Sequence, residues 1–269
     1  MCPPEPAAVD LHIARGPGAL GALAADSAVL DAGEQARAAR FRFDADREIY
    51  RAAHVLLRRA LSRQAPLAPD QWRFLAGEHG RPQIDDGACP AGAGLDFNLS
   101  HTRGLVCCAV TRAGTVGIDG ECVRPMRDRA ALAARFFAPV EAAAVDAAEV
   151  AGPAAGAECF YALWTLKEAY VKAVGLGLSL GLGRFAFRLG EGMPGSIGLT
   201  LEAGAPHPAD HWCCLLLHFD GGRCTVATAL PAASGASVWV WLHGPDSDEP
   251  PAIVAASARM EVAAVQRAV

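Results

Sequence analysis

The chain has 269 residues, 52% of them apolar and 20% charged, which excludes a disordered segment and allows one large core or two small ones. No stretch approaches the ~18 uninterrupted apolar residues of a membrane span, and the first ten residues lack the basic and apolar regions of a secretory signal. A formal net charge of −5 offers no global attraction to nucleic acid or to an anionic membrane, so neither is expected as a partner.

In chain order, apolar residues at helical spacing from Phe41 to Leu61 predict a helix over 34–64, closed by Pro66 and Pro69. Between 35 and 63 eight arginines face three acids, which reads either as a solvated helix surface or as a phosphate-binding one. A Gly- and Pro-rich passage runs from His79 to Gly94. LDFNLSH then predicts a strand entering a turn, and GLVCCAV and TVGID a pair of strands joined by TRAG. A helical stretch at 128–150 precedes a Gly/Ala/Pro break and a stronger helix from Glu158 to Val174, stopped by Gly175. RFAFRL alternates as a strand, and WCCLLLHF with RCTVATAL predicts a hairpin. Residues 231–269 are expected to form a peripheral, partly mobile extension. Nine cysteines include two adjacent pairs, Cys107-Cys108 and Cys213-Cys214, whose members point to opposite faces of a strand as small buried side chains. With no Cys-x-x-Cys, a reducing cytoplasm is the simplest location.

Three constellations carry chemistry. Gly117-Ile118-Asp119-Gly120-Glu121 ends a strand in two acids at i and i+2, on one face, where their repulsion calls for a cation such as Mg²⁺ or for a proton; a solvated acidic strand end is the alternative. On the helix that follows, Trp164, Glu168 and Lys172 fall at i, i+4 and i+8 in one stripe, as a cleft-facing set or as a surface ion pair. Ser100-His101 closes a strand, where the histidine either meets a phosphate or is a satisfied turn residue. Of 24 basic residues only Lys167 and Lys172 are lysine, so both positions are pointers to a requirement for a compact ammonium.

These blocks, in this order, resemble the 4′-phosphopantetheinyl transferases of the larger, surfactin-synthetase-activating type. The matching segments are Gly80-Arg81-Pro82, FNLSH, Gly117-Ile118-Asp119-Gly120-Glu121 and WTLKEAYVK, with RFF at 135–137 and GLGLSL after the helix, over roughly residues 34–230. The resemblance implies an α+β fold of two similar halves about a pseudo-twofold axis: 1–117 with the coenzyme A nucleotide contacts, 118–230 with the metal acids, and 231–269 as an extension. It implies a cytoplasmic monomer that transfers the phosphopantetheine arm of coenzyme A to a serine of an acyl or peptidyl carrier protein, of a polyketide, nonribosomal-peptide or fatty-acid synthase. Asp119, Glu121 and Glu168 would be the Mg²⁺ ligands and Glu168 the base, with Lys167 orienting the attack. Lys172 and His101 would meet the pyrophosphate, and Gly80, Arg81, Pro82 and Ser100 the adenine nucleotide.

The chain departs from the family in three places. Gly120 replaces a bulky apolar residue, implying a looser strand; Ile49 and Glu34 stand where basic residues are usual. Arg37 matches a further basic position, and Arg42 or Arg47 could share a 3′-phosphate with it. Two rival readings are a coenzyme-A-binding, carrier-docking module without activity, and a serine hydrolase suggested by Gly177-Leu178-Ser179-Leu180-Gly181. The hydrolase elbow requires strand before serine and helix after, the reverse of the order expected here.

Overall fold

The computed structural model describes residues 9–77, 80–190, 195–203, 205, 207–231, 237–245, 252–255 and 261–264. His79, most of the first ten residues, and residues 232–236, 246–251, 256–260 and 265–269 of the expected extension lie outside them.

The elements run β1 (Val9–Arg15), α1 (Gly16–Ala25), α2 (Ala32–Ala39), α3 (Asp44–Gln64), β2 (Phe74–Ala76), β3 (Pro82–Ile84), β4 (Asp96–Thr102), β5 (Leu105–Thr111) and β6 (Gly117–Cys122). After these come α4 (Arg129–Phe136), α5 (Pro139–Ala151), α6 (Pro153–Val174), β7 (Phe185–Leu189), β8 (Gly195–Leu201), β9 (Trp212–Phe219), β10 (Cys224–Pro231), β11 (Ser237–His243), β12 (Ala252–Ala255) and β13 (Glu261–Ala264). The fold is α+β. One sheet has the order β12-β11-β1-β5-β4, a second β6-β10-β9-β13-β8-β7, and β2-β3 form a small ribbon.

Strand alternation divides the interior into three cores. Cys108 packs with Leu56 and Leu57 of α3 on one face of the first sheet, while its neighbour Cys107 points the other way. Cys214 packs with Phe160 and Tyr170 of α6, and Cys213 joins Cys107, Leu11, Ile118 and Val240 in the core between the sheets. The layers are therefore helices, sheet, sheet, helices, and both cysteine pairs straddle a strand as expected.

The structure differs from the sequence reading in four places. The 34–64 helix is two: α2 ends at Ala39, capped by Arg40, and α3 restarts after an extended Phe43, with Asp44 and Asp46 in its first turn, where the helix dipole favours acids. Likewise Pro139 opens α5 and divides the 128–150 stretch. Strands β5 and β6 do not pair: β5 lies between β1 and β4, with Gly104 at φ +85° in the β4–β5 turn, whereas β6 pairs with β10 in the other sheet. And Ser237–His243 is not peripheral, because β11 lies between β12 and β1, parallel to β1, with Val238 and Val240 fully buried.

The edges of the two sheets meet at β4 and β6 without a backbone ladder. Alternate side chains of β4 take its place: Asp96 Oδ2 accepts from the Val116 amide at 2.8 Å, Asn98 Oδ1 from Ile118 at 3.0 Å and Ser100 Oγ from Gly120 at 3.4 Å. Arg81 adds a clamp, donating to Asp96, to the Phe97 and Val116 carbonyls and to the carbonyl of Lys172 on α6. On its other side β6 is pressed against α6, since a Cβ at Gly117 would overlap backbone atoms of Ala169 and Ala173. Nor is the strand loose at Gly120, where a Cβ would come within 2.9 Å of Cys107 Sγ and Leu105 Cδ2. Cys122 and Cys224, partners across β6 and β10, are joined in a disulfide. A separation of 102 residues hides that pairing from sequence inspection.

Lys167 is fully buried, and its ammonium is enclosed by Glu141 Oε2 and the carbonyls of Leu182 and Phe185, each at 2.7 Å. The same carboxylate accepts from the amides of Ala138 and Phe187 at 2.9 and 2.8 Å, tying the start of α5 to α6 and β7. Three donor hydrogens meet three acceptors, which a planar guanidinium would not satisfy.

Two stability predictions follow from these contacts. Asn98→Ala strands the buried Ile118 amide and should lower the unfolding free energy in urea by about 1–3 kcal/mol. Lys167→Met leaves Glu141 buried without its counter-charge and should cost about 3–5 kcal/mol by the same measurement.

Candidate active site

Alternation along β6 sends Ile118 and Gly120 into the inter-sheet core and turns Gly117, Asp119 and Glu121 toward α6. On α6 the Trp164, Glu168, Lys172 stripe is half-buried while the residues flanking Glu168, Lys167 and Ala169, are fully buried. Glu168 and Lys172 face the strand end, the cleft-facing one of the two arrangements that the spacing left open. Trp164 anchors it, its ring 5.9 Å from Phe160 and 6.2 Å from Phe137.

Asp119, 6% exposed, is the centre of the cluster. Its Oδ1 accepts from Ser100 Oγ and from Lys172 Nζ, both at 2.7 Å, and Lys172 also donates to the Ile118 carbonyl at 3.1 Å. Asp119 Oδ2 and Glu121 Oε2 are buried without a hydrogen-bond partner. Burial raises the proton affinity of Glu121 and Glu168, and in each the Asp119 charge raises it further. Arg124, 3.9 Å from Glu121, relieves part of that repulsion.

Among the described residues no three His, Cys, Asp or Glu side chains converge closely enough to ligate one ion as they stand. The donor set nevertheless fits a hard cation: all ligand atoms are carboxylate oxygens, two are buried orphans, and the acids raise one another's proton affinity. At present the Lys172 ammonium supplies the positive charge on Asp119.

Beside this cluster a cavity of about 690 Å³ opens beneath α2 and α3. Arg37, Gly80, Pro82 and His101 line it, together with Glu34, Tyr50 and His54. Burial lowers the proton affinity of His101, and the nearby His54 and Lys172 charges lower it further.

Several expected roles change. Lys167, expected to orient the attack, has its ammonium enclosed among Glu141 and two carbonyls, away from Asp119 and Glu121. Arg81 is turned from the cavity into the clamp on β4, β6 and α6, leaving Gly80 and Pro82 as the wall. Ser100 props Asp119 through its hydroxyl and is not among the cavity residues. Of the three candidate arginines Arg37 lines the cavity, while Arg47 is bound to Asp44 and the Phe41 carbonyl and Arg42 lies over the Phe43 ring. Ser179 follows a helix, and its hydroxyl donates to the Leu176 carbonyl, so no hydrolase elbow is formed. Asn98, the only asparagine of the chain and part of the FNLSH segment, joins the region through the Ile118 amide, and His54 joins it through contacts that no motif marks.

Comparison with known proteins bears on this geometry. The model of the 4′-phosphopantetheinyl transferase superfamily matches residues 115–227, and that of the 4′-phosphopantetheinyl transferase N-terminal region matches 21–113. The 4′-phosphopantetheinyl transferase HetI of a Nostoc species is 37% identical over 57% of this chain and 62% of its own length. The 4′-phosphopantetheinyl transferase Sfp of Bacillus subtilis is 32% identical over 66% of this chain and 72% of its own. A phosphopantetheinyl transferase of a Thraustochytrium species is 31% identical over 82% and 73%. The matched part thus spans less than two thirds of HetI and nearly three quarters of the other two. With both family models falling on the halves that build the acid cluster and the cavity, the chain belongs to the 4′-phosphopantetheinyl transferase superfamily.

Proposed function

We propose that the protein transfers the 4′-phosphopantetheine arm of coenzyme A to a serine hydroxyl of an acyl or peptidyl carrier protein, acting as a monomer. The observation that carries this reading is the pair of orphaned carboxylate oxygens beside Lys172, next to a cavity of nucleotide size. Carriers of polyketide, nonribosomal-peptide and fatty-acid synthases present the required serine. Among the described residues no helix is long and apolar enough to cross a membrane.

In this reaction the serine oxygen forms a bond to the phosphorus that bears the pantetheine. The bond from that phosphorus to the bridging oxygen breaks, and adenosine 3′,5′-bisphosphate leaves with the electron pair. Mg²⁺ held by Asp119, Glu121 and Glu168 would neutralise charge on the pyrophosphate. Glu168, whose proton affinity burial and Asp119 raise, accepts the serine proton. Lys172 moves its hydrogen bonds from Asp119 to a pyrophosphate oxygen, and His101 borders the same anion. Ser100 holds Asp119 in place while Lys172 is drawn away.

Intact-mass spectrometry of an apo carrier protein, incubated with this protein, coenzyme A and Mg²⁺, is the direct test. A gain of one phosphopantetheine group, abolished by EDTA, is expected. Coenzyme binding without a gain on carriers of several kinds would instead identify a non-catalytic docking module. Glu168→Gln should lower the turnover number by about 10²-fold or more while the thermal unfolding midpoint is retained. Lys172→Ala should raise the Michaelis constant for coenzyme A about tenfold, the value of one charge-assisted hydrogen bond.

A further inference from the structure

Alternate residues of β4 face β6, and the row that begins with Asp96, Asn98 and Ser100 has one more member. Thr102 is the next position in it, and its hydroxyl donates to the carboxylate of Glu121. Burial and the Asp119 charge raise the proton affinity of Glu121, while Arg124, this hydrogen bond and Lys172 offset part of the rise. Glu121 Oε2 is buried without a hydrogen-bond partner, so the oxygen that Thr102 holds is Oε1. Arg124 stands 3.9 Å from Oε2 and makes no hydrogen bond to it.

The other hydroxyl close to Glu121 is committed elsewhere. Thr225 lies opposite Glu121 on β10. Thr165 Oγ1 donates to the Tyr161 carbonyl at 2.6 Å, so in its 3.1 Å contact with Thr225 the donor is Thr225. Thr102, by contrast, is free to donate and is held in place. It pairs with Leu105 across the tight β4–β5 turn, where Gly104 has φ +85° and its carbonyl accepts from the Gly16 amide at 2.9 Å. The two acids of β6 therefore share one pattern. Ser100 holds Asp119 Oδ1 and leaves Oδ2 bare; Thr102 holds Glu121 Oε1 and leaves Oε2 bare.

We propose that Thr102 is a positioning residue: together with Ser100 it limits each β6 carboxylate to one metal-facing oxygen, and so favours Mg²⁺ over the larger Ca²⁺. The inference rests on the transferase reading above, in which these acids hold the metal. Mg²⁺ demands a near-octahedral shell with few carboxylate oxygens, completed by water and phosphate. Ca²⁺ takes a larger, looser shell and readily accepts a carboxylate through both oxygens. A hydroxyl bonded to one carboxylate oxygen fixes the plane of the group and opposes chelation through the pair. The two bare oxygens, Asp119 Oδ2 and Glu121 Oε2, are then the ones presented to a cation. Thr102 is not among the cavity residues, so its influence on the coenzyme runs through Glu121.

The test is calorimetric titration of MgCl₂, and separately of CaCl₂, into the full chain saturated with coenzyme A, with no carrier protein present. Thr102→Val keeps the β-branched shape of a strand residue and removes the hydroxyl. Its Mg²⁺ affinity should fall about tenfold, the usual cost of removing a partner of a metal ligand, and its Ca²⁺ affinity should fall less. Thr102→Ser should restore both the affinity and the preference for Mg²⁺. Coenzyme A affinity without metal should be equal in the wild type and both variants; a loss there would mean that Thr102 meets the coenzyme itself and would overturn the proposal. Unchanged Mg²⁺ affinity in Thr102→Val would overturn the role of Thr102 and leave the transferase reading standing. Equal losses for the two cations, or a serine variant as weak as the valine one, would overturn it as well, because packing and not the hydroxyl would then be responsible. Absence of Mg²⁺ uptake by the wild type would defeat the metal assignment in the transferase reading along with this inference. Should Thr102→Val unfold at the assay temperature, Thr102→Ala takes its place under the same criteria.

Discussion

Strand β6 has a partner strand on one side only, and on the other its amides would be buried without acceptors. Asp96, Asn98 and Ser100 supply those acceptors from alternate positions of β4. This row of side-chain hydrogen bonds seals the junction of the two sheets, and every other feature of the acid cluster depends on it. It fixes which residues of β6 turn toward α6, and it places the Ser100 hydroxyl where it can both receive the Gly120 amide and donate to Asp119. A backbone ladder would have joined the sheets equally well but would have left no side chain to brace the carboxylate. An unpaired strand edge is normally a liability; here it is what admits the Ser100 brace.

Charge is arranged around that seam in buried or half-buried pairs. Arg81 bridges the first sheet to the end of α6, Lys172 sits on Asp119, and Lys167 sits on Glu141 a turn away on the opposite side of the helix. The two lysines divide the labour of one helix. Lys167 has its three donor hydrogens occupied and holds α6 against α5 and β7. Lys172 is part-exposed, bonded to a carboxylate whose second oxygen is unpartnered, and so is placed to exchange one anion for another. An arginine in either position would be too broad for the enclosure or too rigid for the exchange.

Much of the site was legible because its chemistry is local in sequence. Asp119 and Glu121 share a strand face by a period of two, and Trp164, Glu168 and Lys172 share a helix face by a period near four. Neither relation needs tertiary information. The misreadings all required it. Lys167 lies one residue from Glu168, and only the packing of α5 and β7 shows that its ammonium is enclosed on the far side. Arg81 lies between two cavity residues, yet its length carries the guanidinium into the seam. Strands β5 and β6 are adjacent in the chain and separated by a short turn, but their apolar faces are claimed by different sheets. Parallel pairing of β11 with β1 joins residues more than 200 positions apart, which no local pattern records.

The division of polarity between the two sites has a consequence for the order in which the ligand must be held. The acid cluster repels a pyrophosphate until a cation is present, because Asp119, Glu121 and Glu168 face one another with Lys172 and the more distant Arg124 as their compensating charges. The cavity works the other way. Its carboxylates, Asp31 and Glu34, are both paired with the buried Arg58, so Arg37 and the two imidazoles present a surface that can accept an anion without a metal. Under the proposed function, nucleotide recognition at the cavity would therefore proceed independently of the metal, whereas placement of the reacting phosphorus would not. A protein built this way separates affinity, which arginine and histidine supply, from reactivity, which waits on the carboxylates. The seam of β4 and β6 connects the two, since His101 on the cavity side and Ser100 on the acid side are consecutive residues of one strand.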